Sequence, residues 1–170
     1  MKFLLKTAFF IFLGSLLLLS GCCLFGPSEP DVIVWRSAFI PDEWEADVFS
    51  LLNYGTDCRR IEVAEARQMN DYGNGRVRPG NEMFAVVAAY NKKSGRFSAR
   101  WGYSPNPKSG ENSLEMTITN LTASAVGSSS AKHPVGFQLM PDFSSLTMSW
   151  GPRLEKRGTL MHTVTWNALP

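Results

Sequence analysis

The sequence is poor in the residues that most often build catalytic and metal sites. Its 170 residues include only two histidines and three cysteines. It has no Cys-x-x-Cys spacing of the kind that binds zinc, and no Gly-x-Ser-x-Gly turn of the kind that presents a nucleophilic serine. We therefore expect a protein that is not an enzyme and that uses no metal and no cofactor.

The few residues that could do chemistry have ordinary structural explanations. His162 alternates with Val164, which predicts a half-buried histidine at the edge of the core, and His133 precedes a proline in a polar segment. The segment NDYGNGR (70–76) contains only a fragment of a calcium loop. The two arginines of GRVRPGN (75–81) could hold an anion, but a solvated loop is the simpler expectation.

The N-terminus has the pattern of an export signal. Lys2 and Lys6 are followed by uncharged, mostly apolar residues from Ala8 to Leu19, and then by two small residues before Cys22. A basic start, a short apolar segment and small residues at a cleavage point predict a secretory signal peptide. An uncleaved transmembrane anchor is the alternative.

The residues LSGC (19–22) resemble the lipobox of bacterial lipoproteins. This resemblance implies that the Cys22 thiol receives a diacylglyceryl group, that the chain is cut before it, and that the new N-terminus is acylated with a fatty acid such as palmitate. One acyl chain binds a membrane only marginally, at about 0.8 kcal/mol per buried methylene, so several chains are needed for a stable anchor. The sorting rule for such proteins retains those with Asp after the lipidated Cys at the inner membrane. Cys23 at that position therefore implies the periplasmic side of the outer membrane.

This interpretation divides the chain into three parts: a signal peptide (1–21), a lipidated tether (22–30) and a single β-rich domain (31–170). Without Lys2 and Lys6 the basic and acidic residues are equal in number, so the mature domain is formally neutral. A neutral domain argues against a nucleic-acid partner. The partners we expect are the membrane, through the lipid, and a periplasmic protein.

Cys23 and Cys58 are the cysteines left after lipidation. An exported compartment permits a disulfide between them, which would fasten the tether to the domain. The alternative is that Cys23 only accompanies the lipidation site and that Cys58 is a partly buried free thiol. The sequence leaves both possibilities open.

The patterns after the tether predict one short helix in a mainly β domain. We expect a strand at 31–40, then a helix at 41–53 with Asp42 as N-cap and Glu45 completing a capping box. The run MFAVVAAY (83–90) predicts a central strand buried on both faces. Further alternating strands are expected at 96–103, 114–119, 135–139, 145–150 and 159–166, loops at 68–82, 104–113 and 123–134, and an ambiguous segment at 58–67. This spacing favours a single β-sandwich or small barrel with one short helix near the N-terminus.

Two stretches resemble the outer-membrane lipoprotein of the type VI secretion system (the TssJ family). FIPDEWEADVFSLLN (39–53) resembles a helix of that family, and the segment from 78 to 101 resembles its RPG turn and the strand after it. The matching positions are Trp44, Ala46, Asp47, Val48, Phe49 and Leu51, then Arg78, Pro79, Gly80, Val86 to Tyr90, Arg96 and Arg100. The resemblance covers about residues 31–122. It implies a transthyretin-like sandwich, tethered to the outer membrane, that binds an inner-membrane secretion subunit.

The leading hypothesis is therefore a lipid-anchored periplasmic scaffold that binds another protein, such as a type VI secretion subunit. One alternative is an immunity lipoprotein that inhibits a toxin delivered to the periplasm. Another is a β-barrel for a hydrophobic ligand, lined by Trp101, Trp150 and Trp166, although their alternating positions first predict core residues.

The lipobox predicts that Cys22→Ser abolishes acylation and releases the protein from the membrane, because the variant has no thiol at the lipobox position to form the thioether. Labelling with radioactive palmitate and fractionation of cells would measure this, with Cys58→Ser as the control that keeps the label. Membrane retention of an unlabelled Cys22→Ser protein would instead support an uncleaved transmembrane anchor.

Overall fold

The mainly β fold with one short helix is confirmed by a computed structural model, which describes residues 29–52, 57–73, 75–126, 134–155 and 158–170. The signal peptide, Cys22, Cys23 and His133 lie outside the described residues. The helix follows the first strand rather than standing at the N-terminus itself. Along the described chain the elements are β1 (Val32–Ser37), α1 (Asp42–Leu52), β2 (Arg59–Val63), β3 (Ala66–Asp71), β4 (Val77–Asn91), β5 (Arg96–Tyr103), β6 (Asn112–Thr117), β7 (Thr122–Val126), β8 (Pro134–Leu139), β9 (Ser145–Glu155) and β10 (Gly158–Asn167).

All ten described strands belong to one sheet, which branches at the long strand β4. The order along the main path is β2-β1-β4-β3-β10-β9-β8-β7, and β5 pairs with β4 and β6. The first part of β4 pairs with β3, while its last part lies between β1 and β5. Strands β1 and β2 are parallel and are joined through α1.

The sheet curls into a half-barrel around one apolar core. Phe97 on β5 and Phe137 on β8 have ring centroids 4.9 Å apart, although four strands separate β5 from β8 in the sheet. Two of the three buried indoles of this core donate to backbone carbonyls: Trp35 Nε1 to that of Phe143 at 3.1 Å, and Trp166 Nε1 to that of Phe84 at 2.9 Å. The burial of such rings is the main apolar contribution to this core.

The helix covers the outer face of the sheet. Trp44 and Val48 are 1% and 0% exposed, and they pack against Val34, Val87 and their neighbours on β1 and β4. Strand β4 is therefore buried on both faces from Phe84 to Tyr90, as the apolar run predicted.

Ion pairs hold the acidic face of α1 against the sheet and the loop after β5. Asp47 binds Arg100 at 2.9 Å, and Glu43 binds Lys108 at 2.8 Å. The Lys108 ammonium lowers the pKa of Glu43, and Glu43 in turn raises the pKa of Lys108. Exposed pairs of this kind contribute little each, so they orient the helix more than they stabilise it.

The capping box predicted for the helix is wrong. The helix begins with Asp42, and its first bond runs from the backbone N–H of Trp44 to the carbonyl of Pro41, at 3.0 Å. The carboxylate of Glu45 instead binds Arg36 at 3.0 Å and also contacts Arg60. Two guanidinium groups on neighbouring strands compete successfully with a backbone N–H for this carboxylate.

Two of the predicted loops are also partly wrong. In place of the loop at 68–82, β3 runs to Asp71 and β4 begins at Val77, so that only residues 72–76 connect the two strands, and the backbone N–H of Tyr72 donates to the carbonyl of Arg76. Pro79 is accommodated because it lies opposite Met69, beside an irregularity in the β3–β4 register. The linker expected at 123–134 begins as β7, which pairs through its backbone with β8 although its residues are small. The ambiguous segment at 58–67 contributes β2 and the start of β3.

The packing of α1 predicts that Trp44→Ala lowers the free energy of unfolding by about 3–5 kcal/mol, because it leaves a cavity between the helix and β4. Urea unfolding followed by circular dichroism would measure this. Phe39→Ala, at a side chain that is 62% exposed, is the control and should change stability by less than about 0.5 kcal/mol. Equal effects of the two variants would show that the helix does not pack in this way.

Candidate functional site

The strands of the half-barrel define two ends of the domain. Residues 29–31 join the domain at the end where β1 begins, beside the turn 91–95; we call this the tether end. The β3–β4 turn (72–76) and the loop 104–111 lie at the opposite end of the strands, which we call the distal end.

Ion pairs fix the chain where it enters the tether end. The carboxylate of Glu29 lies 3.2 Å from both Arg59 and Lys92, and Asp31 binds Lys93 at 2.6 Å. The hydrogen bond from Lys92 lowers the pKa of Glu29, and Arg59 adds to the effect. The point at which the N-terminal segment leaves the domain is therefore defined.

A row of aromatic rings crosses the inner side of the distal end. Tyr103 on β5 packs against Phe84 on β4 with centroids 5.0 Å apart, and Phe84 meets Trp150 on β9 edge-on at 5.8 Å. Trp150 then stacks on the ring of His162 on β10 at 5.0 Å and an interplanar angle of 19°. Tyr103–Phe84 and Trp150–His162 are pairs across neighbouring strands, and the curl of the sheet brings these two pairs into contact.

The row ends in a triangle of polar atoms that we call the amide–imidazole cluster. Gln68 Nε2 lies 2.6 Å from Asn70 Oδ1 and 2.8 Å from His162 Nδ1, and Asn70 Oδ1 lies 2.8 Å from the same Nδ1. Gln68 is only 8% exposed. An amide nitrogen only donates and an amide oxygen only accepts. Nδ1 of His162 is a donor when it carries a proton and an acceptor when it does not. In either state two of the three atoms are both donors or both acceptors, so only two of the three contacts can be hydrogen bonds at once.

The distal end also exposes large apolar side chains beside arginines. Tyr72, Val77 and Tyr103 are 37%, 53% and 36% exposed, and the exposed residues Arg76 and Arg78 lie at the start of β4. Tyrosine and arginine are enriched where proteins bind one another.

The loop 104–111 supports the ring of Tyr103. Gly110 has a φ of +70°, and a Cβ atom there would lie 2.4 Å from Cε2 of Tyr103, so glycine allows the close contact. Partial burial raises the pKa of Tyr103, and the charge of Glu82 adds to the shift. Its hydroxyl is therefore a neutral donor at physiological pH.

The residues singled out in the sequence have separate fates. His162 is half-buried, as predicted, and it belongs to the amide–imidazole cluster. Trp101 and Trp166 are 4% and 0% exposed within the core, and Trp150 packs against that core while partly exposed. Cys58 is half-buried against the apolar residues that α1 packs on β1 and β4. Its predicted partner Cys23 lies outside the described residues.

Sequence patterns missed the polar half of the cluster. Gln68 and Asn70 lie in the segment predicted to be a loop, where glutamine and asparagine are unremarkable. In ARQMND only Ala66 and Met69 are apolar, and they are three residues apart, so no period-two alternation signals a strand. Only their pairing with β10 places these amides beside His162.

Two further observations concern the described residues alone. No helix among them is long and apolar enough to cross a bilayer. Within the same ranges, no three His, Cys, Asp or Glu residues are grouped so that they could hold a metal ion.

Comparison of the chain with known proteins gives no match to a protein-family model, to a curated protein or to a solved structure.

The cluster predicts opposite tautomers of His162 in two matched variants. Gln68→Ala removes the competing donor, so Nδ1 is expected to carry a proton and donate it to Asn70. Asn70→Ala removes the acceptor, so Nδ1 is expected to lose its proton and accept from Gln68. Nitrogen-15 NMR of the imidazole would distinguish the two states. A shift in the same direction in both variants would contradict this arrangement.

Proposed function

We propose that this protein is a lipid-anchored periplasmic scaffold that holds a partner protein at its distal end. The lipobox-like LSGC supports the anchor, with Cys22 as the lipid attachment point and the outer membrane as the membrane. The resemblance at 39–53 and 78–101 makes an inner-membrane subunit of a type VI secretion apparatus the first partner to test.

The separation of the two ends is the observation that carries this proposal. The tether enters beside Lys92, while Tyr72, Tyr103 and Arg78 are exposed at the other end of the strands. Strand β4 has 15 residues, so at about 3.3 Å per residue Val77 lies about 46 Å from Asn91 along an extended path, whereas Tyr103, which pairs with Phe84, lies about 23 Å along the strands from that same end. A domain anchored at one end therefore presents the tyrosines and arginines away from its membrane.

A Cys23–Cys58 disulfide belongs to the same proposal as a brace for the tether. Arg59, which follows Cys58, binds Glu29, and Glu29 is six residues after Cys23. An extended segment of that length spans up to about 20 Å, so the chain allows the connection.

The test uses a photo-crosslinking amino acid placed at Tyr103 or Tyr72 in the full lipidated protein in its native cells. We expect crosslinks to one inner-membrane protein, because these side chains would lie in the interface. Met140, which is 45% exposed at the tether end, is the matched control position and should give no such product.

A second comparison tests the energetics of the same surface. Tyr103→Ala and Arg78→Ala should each weaken capture of that partner by about tenfold or more if they are interface anchors. Crosslinks that form equally well from Met140, or that reach no inner-membrane protein, would remove the basis of the scaffold proposal.

A further inference from the structure

The outer edge of β6 has backbone groups that no strand pairs with in the described part of the chain. There β6 pairs with β5 alone, and β7 pairs with β8 alone. The two strands are consecutive and antiparallel, and only residues 118–121 separate them. They lie at the two free margins of the curled sheet.

The connection between these strands keeps them on separate margins. The backbone N–H of Ile118 donates to the carbonyl of Gly95 at 2.7 Å, which holds the end of β6 beside β5. The carbonyl of Leu121 accepts from the N–H of Leu139 at 2.8 Å, which holds the start of β7 beside β8. Leu121 has a φ of +54°, which turns the chain between these two attachments.

The direction of each backbone group on β6 follows from that first bond. Both backbone groups of a strand residue point to the same side, and the side alternates along the strand. Since Ile118 faces β5, Met116 and Leu114 face β5 as well. The N–H and C=O groups of Ser113, Glu115 and Thr117 therefore point outward. We call these groups the β6 edge.

The side chains of β6 define what could lie beside it. Leu114 is 6% exposed and Met116 is partly buried, and both face the core. The side chain of Glu115 lies on the outer face and contacts Arg96. The apolar side chains of an added strand would extend the core beside Leu114 and Met116. Side chains on its other face would lie beside the carboxylate of Glu115.

We propose that the β6 edge binds an extended segment of a partner protein as an added strand. The segment alternates apolar and polar residues, with a basic residue opposite Glu115. Unpaired edges are ready templates for such addition, because the main-chain hydrogen bonds supply affinity and the alternate side chains supply specificity. This inference rests on the proposed protein-binding function and adds a second contact surface to it.

Charge favours a partner segment over a second copy of this chain. A two-fold symmetric pairing that used all three outward residues would place Glu115 directly opposite the Glu115 of the other copy. Like charges directly opposite each other destabilise a pair of strands, whereas opposite charges contribute about 0.2–1 kcal/mol. The ion pair of Glu115 with Arg96 weakens this preference without reversing it, so the edge favours a basic residue opposite Glu115 over a second Glu115.

The first experiment measures hydrogen exchange by NMR in the mature protein without lipid or partner. The amides of Leu114 and Met116 should exchange at least about tenfold more slowly than those of Ser113, Glu115 and Thr117, because only the first pair is bonded to β5. Equal protection of all five amides would overturn the proposal, because it would mean that this chain or a second copy already covers the edge. Sedimentation would tell those two cases apart.

The second experiment adds a ten-residue peptide of alternating valine and lysine, and the control is the same peptide with one central valine replaced by proline. We expect the first peptide alone to bind and to protect the three outward amides. Glu115→Gln should weaken binding by about twofold to fivefold, because it removes only the charge. Glu115→Pro should abolish binding, because it removes an outward N–H and obstructs the edge while leaving the β5–β6 bonds in place.

Folding of the proline variant is checked by continued protection of Leu114 and Met116, and Thr117→Pro replaces it if that protection is lost. Failure of the valine–lysine peptide to protect these amides would overturn the strand-addition proposal. Crosslinks from Tyr103 to an inner-membrane protein could still succeed in that case. Binding of the peptide without crosslinks from Tyr103 would support the β6 edge as a binding site and would contradict the scaffold proposal.

Discussion

Burial of β4 on both faces is the constraint on which the rest of the structure depends. Its residues from Phe84 to Tyr90 are all buried: Val86 and its alternate neighbours face the barrel core, while Val87 and its alternate neighbours face the helix. Such a strand needs an apolar layer on each side, and the two layers are the curled sheet and α1. Because β4 also pairs with β1, β3 and β5, its position sets the register of all three of these neighbouring strands.

The same strand separates the two ends of the molecule. One end of β4 lies beside the ion pairs of Glu29 and Asp31, and the other begins among the exposed groups of Val77 and Arg78. A tethered scaffold needs this kind of polarity, with the attachment at one end and the binding groups at the other. The half-barrel adds a lateral surface, because in the described part of the chain β6 and β7 lie at the two margins of the sheet and pair only with β5 and β8. The distal end and the β6 edge could therefore contact different parts of one partner.

Much of the fold was predictable, and the errors share a physical cause. The helix from Asp42 and the strand around Phe97 have strong apolar periodicity, and the strand around Val86 is a continuous apolar run, so local pattern and global packing agree there. The errors at 68–82 and at 123–126 fall on strands whose residues are polar or small. Those strands are held by backbone pairing with their neighbours, and a pairing partner leaves no local signal in the sequence.

The candidate site divides in the same way. The sequence by itself predicted the half-buried position of His162, which the structure confirms, while the export signal and the lipobox-like Cys22 stay predictions; each of the three depends on a short local pattern. Only the tertiary structure decided that His162 meets Gln68 and Asn70, and that Trp150 stacks on its ring. These groups come from β3, β9 and β10, and their contact depends on sheet order and curl, which arise from long-range packing around β4.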